Sequence, residues 1–176
     1  MPKAAGSEKF KKPRNIQRPA RPMSTGPKPK FTPALLADAE QVLELVEKYY
    51  QFDHIEFDAA VIRGGLKTLL RNQSLGRVWL IHLQNQLVGY VVVTFGFDYE
   101  FGGRTALITD LYLEPEFRGR GLGRKTLRHV EGFCRKSRIT GLELQVERKN
   151  RRAARLYRDF GFQPLPRIPM SKVITQ

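Results

Sequence analysis

The sequence predicts one α/β domain built on a mixed, largely antiparallel sheet that is flanked by helices. Three observations support this fold class. The chain has 176 residues, of which 41% are apolar, and this is enough for one buried core. Strand-like and helix-like segments alternate along it, and two β-branched segments around a short polar turn predict an antiparallel hairpin.

The first 30 residues predict a disordered basic tail that lies outside the domain. They contain nine Lys or Arg side chains, one Glu and six prolines, with few large apolar side chains. Such a segment cannot bury enough surface to offset the entropy of ordering. Residues 31–176 then form the domain. The tail either makes weak, salt-sensitive contacts to nucleic acid or is a solubilising extension.

Charge divides the predicted domain into two parts. Residues 31–103 carry a net charge of −4, whereas residues 104–176 carry +10. This split favours an anionic ligand on one side and a cationic ligand on the other, with solvated surface charge as the alternative.

A short strand begins at Phe31, and two helices follow it. The segment "LADAEQVLELVEKYYQFD" has apolar residues at helical spacing, with Asp38 near its start, where a carboxylate suits the helix dipole. "FDAAVIRGGLKTLL" predicts a second, weaker helix that is capped by Asp58 and has a weak point at Gly64–Gly65.

Strands dominate the middle of the chain. "RVWLIHLQ" and "LVGYVVVTFGF" are rich in β-branched and aromatic residues, and a polar turn at Asn85–Gln86 joins them into the hairpin. A third strand runs from Thr105 to Leu113 and stops at Pro115.

Two helices and three short strands complete the predicted order. The first of these helices has an apolar face of Leu127, Val130 and Cys134, and "LELQV" follows it as a strand. The last helix starts at the N-cap Asn150 and ends at Gly161, a residue suited to the left-handed C-terminal position. A final strand pair is predicted around Phe162 to Leu165 and Met170 to Ile174.

The stretch "RGRGLGRK" at residues 118–125 lies between a strand and a helix, where backbone NH groups and the helix dipole favour an anion. Its glycines are Gly119, Gly121 and Gly123, its cations are Arg118, Arg120, Arg124 and Lys125, and Leu122 lies between the last two glycines. Glycines let the backbone approach a phosphate closely, and the cations add charge around it. The spacing matches neither the mononucleotide P-loop nor the dinucleotide G-x-G-x-x-G pattern, so we predict another kind of phosphate cradle.

Two motifs together resemble a known enzyme family. Arg118-x-x-Gly121-x-Gly123 resembles the R/Q-x-x-G-x-G/A signature of the GNAT superfamily of acetyl-coenzyme A dependent N-acetyltransferases. "NRRAARLYRDFGF" at residues 150–162 resembles the second signature of that family, N-x-x-A-x-x-L-Y-x-x-x-G-F. The motifs occur in the family's order, and the resemblance covers about residues 31–175. It implies a GNAT-like fold and acetyl-CoA as co-substrate.

The resemblance also implies roles for individual residues. The loop amides from Arg118 to Lys125 would bind the coenzyme pyrophosphate, and the backbone of Leu111 and Leu113 would follow the pantetheine arm. The Leu111 NH would polarise the thioester carbonyl as an oxyanion donor. Asn150 would contact the pantetheine region. Tyr157 would protonate the departing thiolate, with core packing as its alternative role.

Amine acetylation needs a neutral nucleophile, and a carboxylate can remove the ammonium proton. Asp110 in "LITDLYL" is the best candidate, because an acid inside an apolar strand is unusual; a solvated strand face is the alternative. The segment also resembles that of diamine and polyamine acetyltransferases, in which a pair of acids commonly occupies positions 109 and 110. Here the first of the pair is Thr109, and one acid remains.

Four further residues are predicted to contact the acceptor. Asp53 and His54 lie between the first two helices, and Asp98 and Glu100 lie in the loop before the third strand. The carboxylates would supply negative charge at the acceptor entrance. Ordinary loop solvation is the alternative for all four.

The sequence also favours a setting and excludes some classes. Cys134 is the only cysteine, so an intramolecular disulfide is excluded and a cytoplasmic location is the default. No segment approaches the roughly 20 apolar residues of a membrane span, and no secretory signal is present. The histidines have no metal-ligand spacing, so no metal is predicted. A homodimer stays open.

These observations predict acetyl transfer from acetyl-CoA to the primary amine of a small cationic molecule, by direct attack in a ternary complex. Two alternatives stay open. The first is a protein or peptide N-acetyltransferase that acts on a lysine or an N-terminus, and the second is a non-catalytic coenzyme A-sensing or nucleic-acid-binding module. Asp110 and Tyr157 favour catalysis, whereas the basic tail favours a macromolecular neighbour.

Overall fold

The computed structural model describes residues 27–174, in which helices cover both faces of a five-stranded sheet. In chain order the elements are β1 (Lys30–Pro33), α1 (Ala39–Asp53), α2 (Ala59–Arg71), β2 (Gly76–Leu83), β3 (Gln86–Asp98), β4 (Gly103–Leu113), α3 (Leu122–Lys136), β5 (Gly141–Leu144) and α4 (Arg151–Phe160). Short 3-10 helices precede α1 and α3, at Leu36–Asp38 and Pro115–Phe117. Most of the predicted tail lies outside the described residues. Within residues 27–174, no helix is long and apolar enough to cross a membrane.

The strands lie in the spatial order β1-β2-β3-β4-β5. The first three pairings are antiparallel and the pairing of β4 with β5 is parallel, which confirms the predicted mixed, largely antiparallel sheet. The hairpin between β2 and β3 turns at Gln84 and Asn85, which both have positive φ. Such φ values match the twist of a two-residue hairpin, and the turn lies one residue earlier than predicted.

Two apolar layers cover the sheet. Helices α1 and α2 pack on one face around Val42 and Tyr90, and α3 packs on the other face around Val93 and Leu127. All four of these side chains are fully buried. Full burial of an aliphatic side chain stabilises the fold by about 1.5–3 kcal/mol, so these layers fix the sheet between the helices.

The predicted helix ends agree with the structure at three positions. The Asp58 carboxylate accepts two amide hydrogen bonds of α2, at 2.9 and 3.1 Å, and the Asn150 side chain accepts one of α4 at 3.0 Å. Gly161 ends α4 with a φ of 117°. Asp38 precedes α1, but its carboxylate accepts the Leu35 NH at 2.7 Å. Helix α2 continues through Gly64–Gly65 without a break.

The predicted final strand pair, around Phe162 to Leu165 and Met170 to Ile174, is wrong. The described residues after α4 form no strand. Pro164, Pro166 and Pro169 each lack an amide donor, and prolines at this density prevent a continuous ladder. Among the described strands, β5 therefore lies at the edge of the sheet.

Candidate functional site

A β-bulge in β4 sets the direction of the central carboxylate. Val92 of β3 pairs with Asp110, whereas the next residue, Val93, pairs with Ile108, so Thr109 is the extra residue. The bulge reverses the alternation of β4. Ile108 packs in the layer next to α3, and Asp110 lies on the α1 side, two residues further along.

Beyond the bulge, β4 stays paired with β3 but is no longer paired with β5. The parallel pairing joins residues 105–108 of β4 to residues 141–144 of β5 and stops there. The β5-facing NH and C=O groups of residues 109–113 therefore have no strand partner. Leu111 and Leu113, which were predicted to line the pantetheine arm, lie in this stretch. Such an open ladder can receive an extended ligand that carries amide groups.

Asp110 is a partly buried carboxylate with one hydrogen-bond donor. The Tyr90 hydroxyl donates to its Oδ2 at 3.2 Å. Burial raises the pKa of Asp110 to about 6, and the hydrogen bond from Tyr90 opposes part of that rise. At pH 7 the group is mostly ionised and has a pKa near the operating pH, which suits a proton acceptor.

Tyrosines from three elements lie around this carboxylate. Tyr49 and Tyr50 come from α1, Tyr90 from β3 and Tyr112 from β4, with neighbouring ring centroids 5.8–6.2 Å apart. We call these four residues the tyrosine cluster. Burial raises the pKa of Tyr49, Tyr50 and Tyr90, and the charge of Asp110 raises each further. The cluster is therefore a neutral aromatic wall beside a carboxylate.

The end of α1 brings a second carboxylate to the cluster. Asp53 lies near Tyr49 and Tyr157, and its charge adds to burial in raising the pKa of both phenols. The charge of Asp110 also raises the pKa of Tyr49, so Tyr49 lies near both acids. His54 ends α1 in the left-handed conformation, with a φ of 56°. The structure thus brings Asp53, Asp110 and Tyr157 into one region.

Tyr157 approaches this region from α4. Its ring makes an edge contact with Phe162 at 6.0 Å and packs against the layer next to α3. Burial, followed by the charge of Asp53, raises the pKa of its phenol. The hydroxyl therefore stays protonated at neutral pH and can donate a proton. The ring of Tyr157 can therefore pack in the apolar layer while its hydroxyl acts as a proton donor.

The glycine-rich loop has the open geometry that an anion requires. Gly119 and Gly121 have φ values of 84° and 78°, and α3 begins at Leu122. A Cβ at Gly121 would meet no atom within 4 Å, whereas one at Gly123 would lie 2.9 Å from the Leu156 side chain. Gly121 thus faces open space in front of the helix, and Gly123 permits α4 to pack closely. The first NH groups of α3 have no acceptor within the helix.

The four loop cations have different neighbours. Arg120 lies 5.5 Å from the Phe117 ring, Arg124 donates to the Asp159 carbonyl at 3.3 Å, and Lys125 donates to the Pro27 carbonyl at 3.4 Å. The Arg118 Nε donates to the Leu113 carbonyl at 2.7 Å. The structure therefore directs Arg118 back toward β4 and α1, not into the space in front of α3.

Asp98 and Glu100 are not part of the region around Asp110. Asp98 pairs with Gly103 at the tip of the β3–β4 hairpin, and Asp110 lies seven positions further along β4, about 20 Å of strand. Asp98 accepts the Glu100 NH at 2.7 Å, and Glu100 forms an ion pair with Arg167 at 3.3 Å. The loop immediately precedes β4 in sequence, but Asp110 lies toward the opposite end of that strand.

A further carboxylate that sequence reasoning missed ties α1 to β4. Glu114 accepts Lys48 at 2.7 Å and the Tyr112 hydroxyl at 3.0 Å, and its side chain is 14% exposed. Its position before Pro115 gave no signal in the sequence. The tyrosine cluster was missed for a related reason, because "KYY" and isolated strand tyrosines look like ordinary core residues. No group of three or more His, Cys, Asp or Glu side chains suited to a metal occurs within residues 27–174.

Comparison with protein families gives one match that spans most of the chain. The model of the acetyltransferase (GNAT) family matches residues 39–162. This range contains α1, the glycine-rich loop and all of α4. The match therefore includes both motifs and every side chain placed around Asp110.

Individual relatives are acetyltransferases with different acceptors. A putative [ribosomal protein bS18]-alanine N-acetyltransferase of Bacillus subtilis (strain 168) is 26% identical over 122 residues, 69% of this chain and 77% of that protein. The thialysine N-epsilon-acetyltransferase of Bos taurus is 34% identical over 79 residues, 45% of this chain and 46% of that enzyme. A predicted acetyltransferase from Clostridium acetobutylicum, solved with acetyl-CoA, superposes with a TM-score of 0.71 at 19% identity, over 82% of this chain and 96% of the other.

Proposed function

Because the chain belongs to the GNAT acetyltransferase family, and is therefore an N-acetyltransferase, we propose that it transfers the acetyl group of acetyl-CoA to the primary amine of a small cationic molecule. The amine attacks the thioester directly while both substrates are bound. The observation that carries the proposal is Asp110, a carboxylate with a pKa of about 6 beside the tyrosine cluster. Carboxylates and aromatic faces both favour an ammonium group.

Acetyl-CoA would bind at the glycine-rich loop and along the edge of β4 that faces β5. Its pyrophosphate would accept hydrogen bonds from the loop amides between Gly119 and Lys125, where the space in front of Gly121 is open. Its pantetheine amides would pair with the β5-facing edge of β4 at Leu111 and at the Leu113 NH, since the Leu113 carbonyl already accepts Arg118. The Asn150 side chain caps α4 through its oxygen, and its NH2 group remains free to donate to the same arm.

The chemical step divides the work between three residues. Asp110 takes one proton from the bound ammonium, and the neutral nitrogen forms a bond to the thioester carbonyl carbon. The Leu111 NH donates to the oxygen as negative charge develops there. The C–S bond then breaks, and Tyr157 protonates the thiolate. The second proton of the nitrogen restores the phenol through water, which leaves an acetamide, coenzyme A and one proton on Asp110.

Asp53 would set the preference for a cation. It lies at the end of α1, near the same Tyr49 that the charge of Asp110 reaches, so an acceptor with a second positive charge would meet a second carboxylate. The bovine relative is named for thialysine, an amine of this small cationic kind. Asp98 and Glu100 have no place in this proposal, because the hairpin holds them far from Asp110.

A peptide N-terminus is the second candidate acceptor. The relative from Bacillus subtilis is named for an alanine of a ribosomal protein, and its match covers more of both chains than the thialysine match does. An N-terminal amine also needs deprotonation, so Asp110 would serve either acceptor.

A screen of acceptor amines tests the proposal. The purified protein is incubated with acetyl-CoA and polyamines, diamines, amino acids, aminoglycosides, lysine peptides or peptides that begin with alanine, and release of the free thiol is followed. Highest turnover with a small di- or polycation supports the proposal. Turnover with alanine peptides alone replaces it with the second candidate, and no turnover above hydrolysis with any amine contradicts both.

A further inference from the structure

Arg118 joins the glycine-rich loop to the last turn of α1. Its guanidinium lies 4.1 Å from the centroid of the Phe52 ring and 5.3 Å from that of Tyr112, and its Nε donates to the Leu113 carbonyl at 2.7 Å. Phe52 is the residue before Asp53. The side chain therefore contacts the end of β4, the tyrosine cluster and the end of α1 together.

The electrostatics of α1 favour a cation at this place. The last turn of α1 contains no basic residue, although the C-terminus of a helix carries partial negative charge. No carboxylate among the described residues lies within ion-pair distance of Arg118. Its charge lies over two aromatic rings, one of them on the last turn of α1, and a planar guanidinium stacks well there.

Phe52 needs such a partner to have a defined position. Its side chain is 52% exposed, and the chain leaves the helix two residues later, at His54 in a left-handed conformation. Helix ends fray when few contacts cover them. Stacking against Arg118 therefore restricts the turn that also carries Asp53.

We propose that Arg118 is a positioning residue for the amine acceptor and not a phosphate ligand: it fixes the end of α1, and with it Asp53, against the loop that starts α3. The proposal rests on the proposed function in that Asp53 faces the acceptor. Arg118, the first residue of the glycine-rich motif, would thus act on the acceptor side of β4. Coenzyme binding would then depend on the loop amides and on the cations that follow Arg118.

Two variants remove the same contact from opposite sides. Arg118→Lys keeps the charge but loses the planar stack and the Nε hydrogen bond, and Phe52→Leu removes the ring. Each should raise the KM for putrescine roughly 3- to 10-fold while kcat and the Kd for coenzyme A change less than about twofold. The double variant should be no worse than the worse single variant, because residues in contact are not additive.

A second readout does not depend on acetyl transfer. Hydrogen exchange of the amides of residues 49–54, followed by mass spectrometry, should be faster in both variants than in the unmodified protein. Arg104→Lys is the matched control, because the Arg104 guanidinium stacks 4.2 Å from the Phe95 ring and donates to the Ser74 carbonyl, away from α1. It should leave exchange at residues 49–54 and the KM for putrescine unchanged.

Two results would overturn this role. If Arg118→Lys weakens coenzyme A binding tenfold or more while exchange at residues 49–54 is unchanged, Arg118 is a phosphate ligand. If exchange at these residues is the same in Phe52→Leu as in the unmodified protein, the stack does not fix the end of α1. A lack of acetyl transfer in the unmodified protein, with faster exchange in both variants, would reject the proposed function and leave the positioning of α1 intact.

Discussion

Asp110 combines a chemical requirement with a structural cost. A carboxylate in a strand is exposed to little water here, and its pKa of about 6 records that loss of hydration. The same burial makes the group a better base near neutral pH. Its position after the bulge, with one hydroxyl donor, is therefore unfavourable for the fold and favourable for the reaction.

Asp110→Asn should lower kcat at pH 7 by a factor on the order of 10² to 10⁴, the usual contribution of a positioned base. Activity of the unmodified protein should rise as pH increases through about 6, when Asp110 ionises. The variant should lack that rise and should recover part of its activity at high pH, where solution supplies neutral amine. Rate–pH profiles with a high-pKa amine measure this. Asp98→Asn is the control. If Asp110→Asn is as fast as the unmodified protein at every pH, Asp110 is not the base.

The same substitution should stabilise the fold above pH 6. The pKa of Asp110 is higher in the folded protein than its ordinary 3.8, so as pH rises the unfolded chain loses this proton first and stability falls between about pH 4 and 6. Asparagine removes the ionisation and can still accept the Tyr90 hydroxyl. The gain should be on the order of 1–3 kcal/mol at pH 8 and near zero at pH 4. Urea unfolding at both pH values measures it, and an equal effect at both would contradict the assignment.

Tyr157→Phe should lower kcat by a factor on the order of 10² to 10⁴ and leave coenzyme A binding unchanged. The ring contact with Phe162 survives in the variant, so the melting temperature should change little. Steady-state kinetics, calorimetry and thermal unfolding separate these effects, with Tyr99→Phe as an exposed control. A normal kcat would assign Tyr157 to packing alone.

At the scale of elements, the start of α3 determines where an anion can lie. Gly121→Glu puts a negative charge in front of the helix and should weaken coenzyme A binding by several kcal/mol, because the charge repels the pyrophosphate. The left-handed φ of 78° makes any side chain at Gly121 strained. Gly121→Ala is therefore the control for strain and Gly132→Glu the control for added charge on α3. Calorimetry that finds equal affinity in Gly121→Glu and Gly121→Ala would remove the pyrophosphate from this loop.

The sequence predicted elements with strong local signals. Asp58 and Asn150 marked helix starts through their side-chain oxygens and Gly161 marked a helix end through its left-handed backbone, and the hairpin followed from β-branched runs around a polar turn. Two features had no local signal: the bulge at Thr109 depends on the partner strand, and the early end of the β4–β5 pairing depends on two distant segments. The final strands are a different case, because three prolines argue locally against the strands that the apolar residues predict.

The candidate site shows the same division. The glycine-rich loop and Asp110 are contiguous in sequence or chemically unusual, so both could be found there. The tyrosine cluster comes from α1, β3 and β4, and its members become a group only when the sheet forms. Asp98 and Glu100 adjoin β4 in sequence but lie far from Asp110, because most of this 11-residue strand separates the hairpin tip from the acid.

At the scale of the molecule, the net charge of +14 is shared between the N-terminal segment and the rest of the chain. The chain before Pro27 carries seven Lys or Arg side chains and one Glu, and it lies outside the described residues. Pro27 itself accepts Lys125, and β1 starts at Lys30. A truncation that spares the domain should therefore end at Gly26.

Deletion of residues 1–26 should leave acetyl transfer to small amines within about twofold and lower the affinity for RNA or DNA at low salt. Loss of seven cations reduces the number of counterions released on binding, so the salt dependence should also become shallower. Filter binding over a range of salt concentrations, beside a thiol-release assay, measures both. Loss of small-amine activity after truncation would show that these residues are not independent of the domain.

The bulge at Thr109 gives β4 one residue more than its pairing with β3 requires. A deletion of this one residue would restore one-to-one pairing, with Ile108 still opposite Val93 and Asp110 still opposite Val92, so the acid would keep its place on the α1 side. The glycine-rich motif, the tyrosines and the acid itself would all be retained. A lineage that had lost this residue would therefore keep its acceptor chemistry, and a gap at position 109 in an alignment would mark a straightened strand and not a lost base.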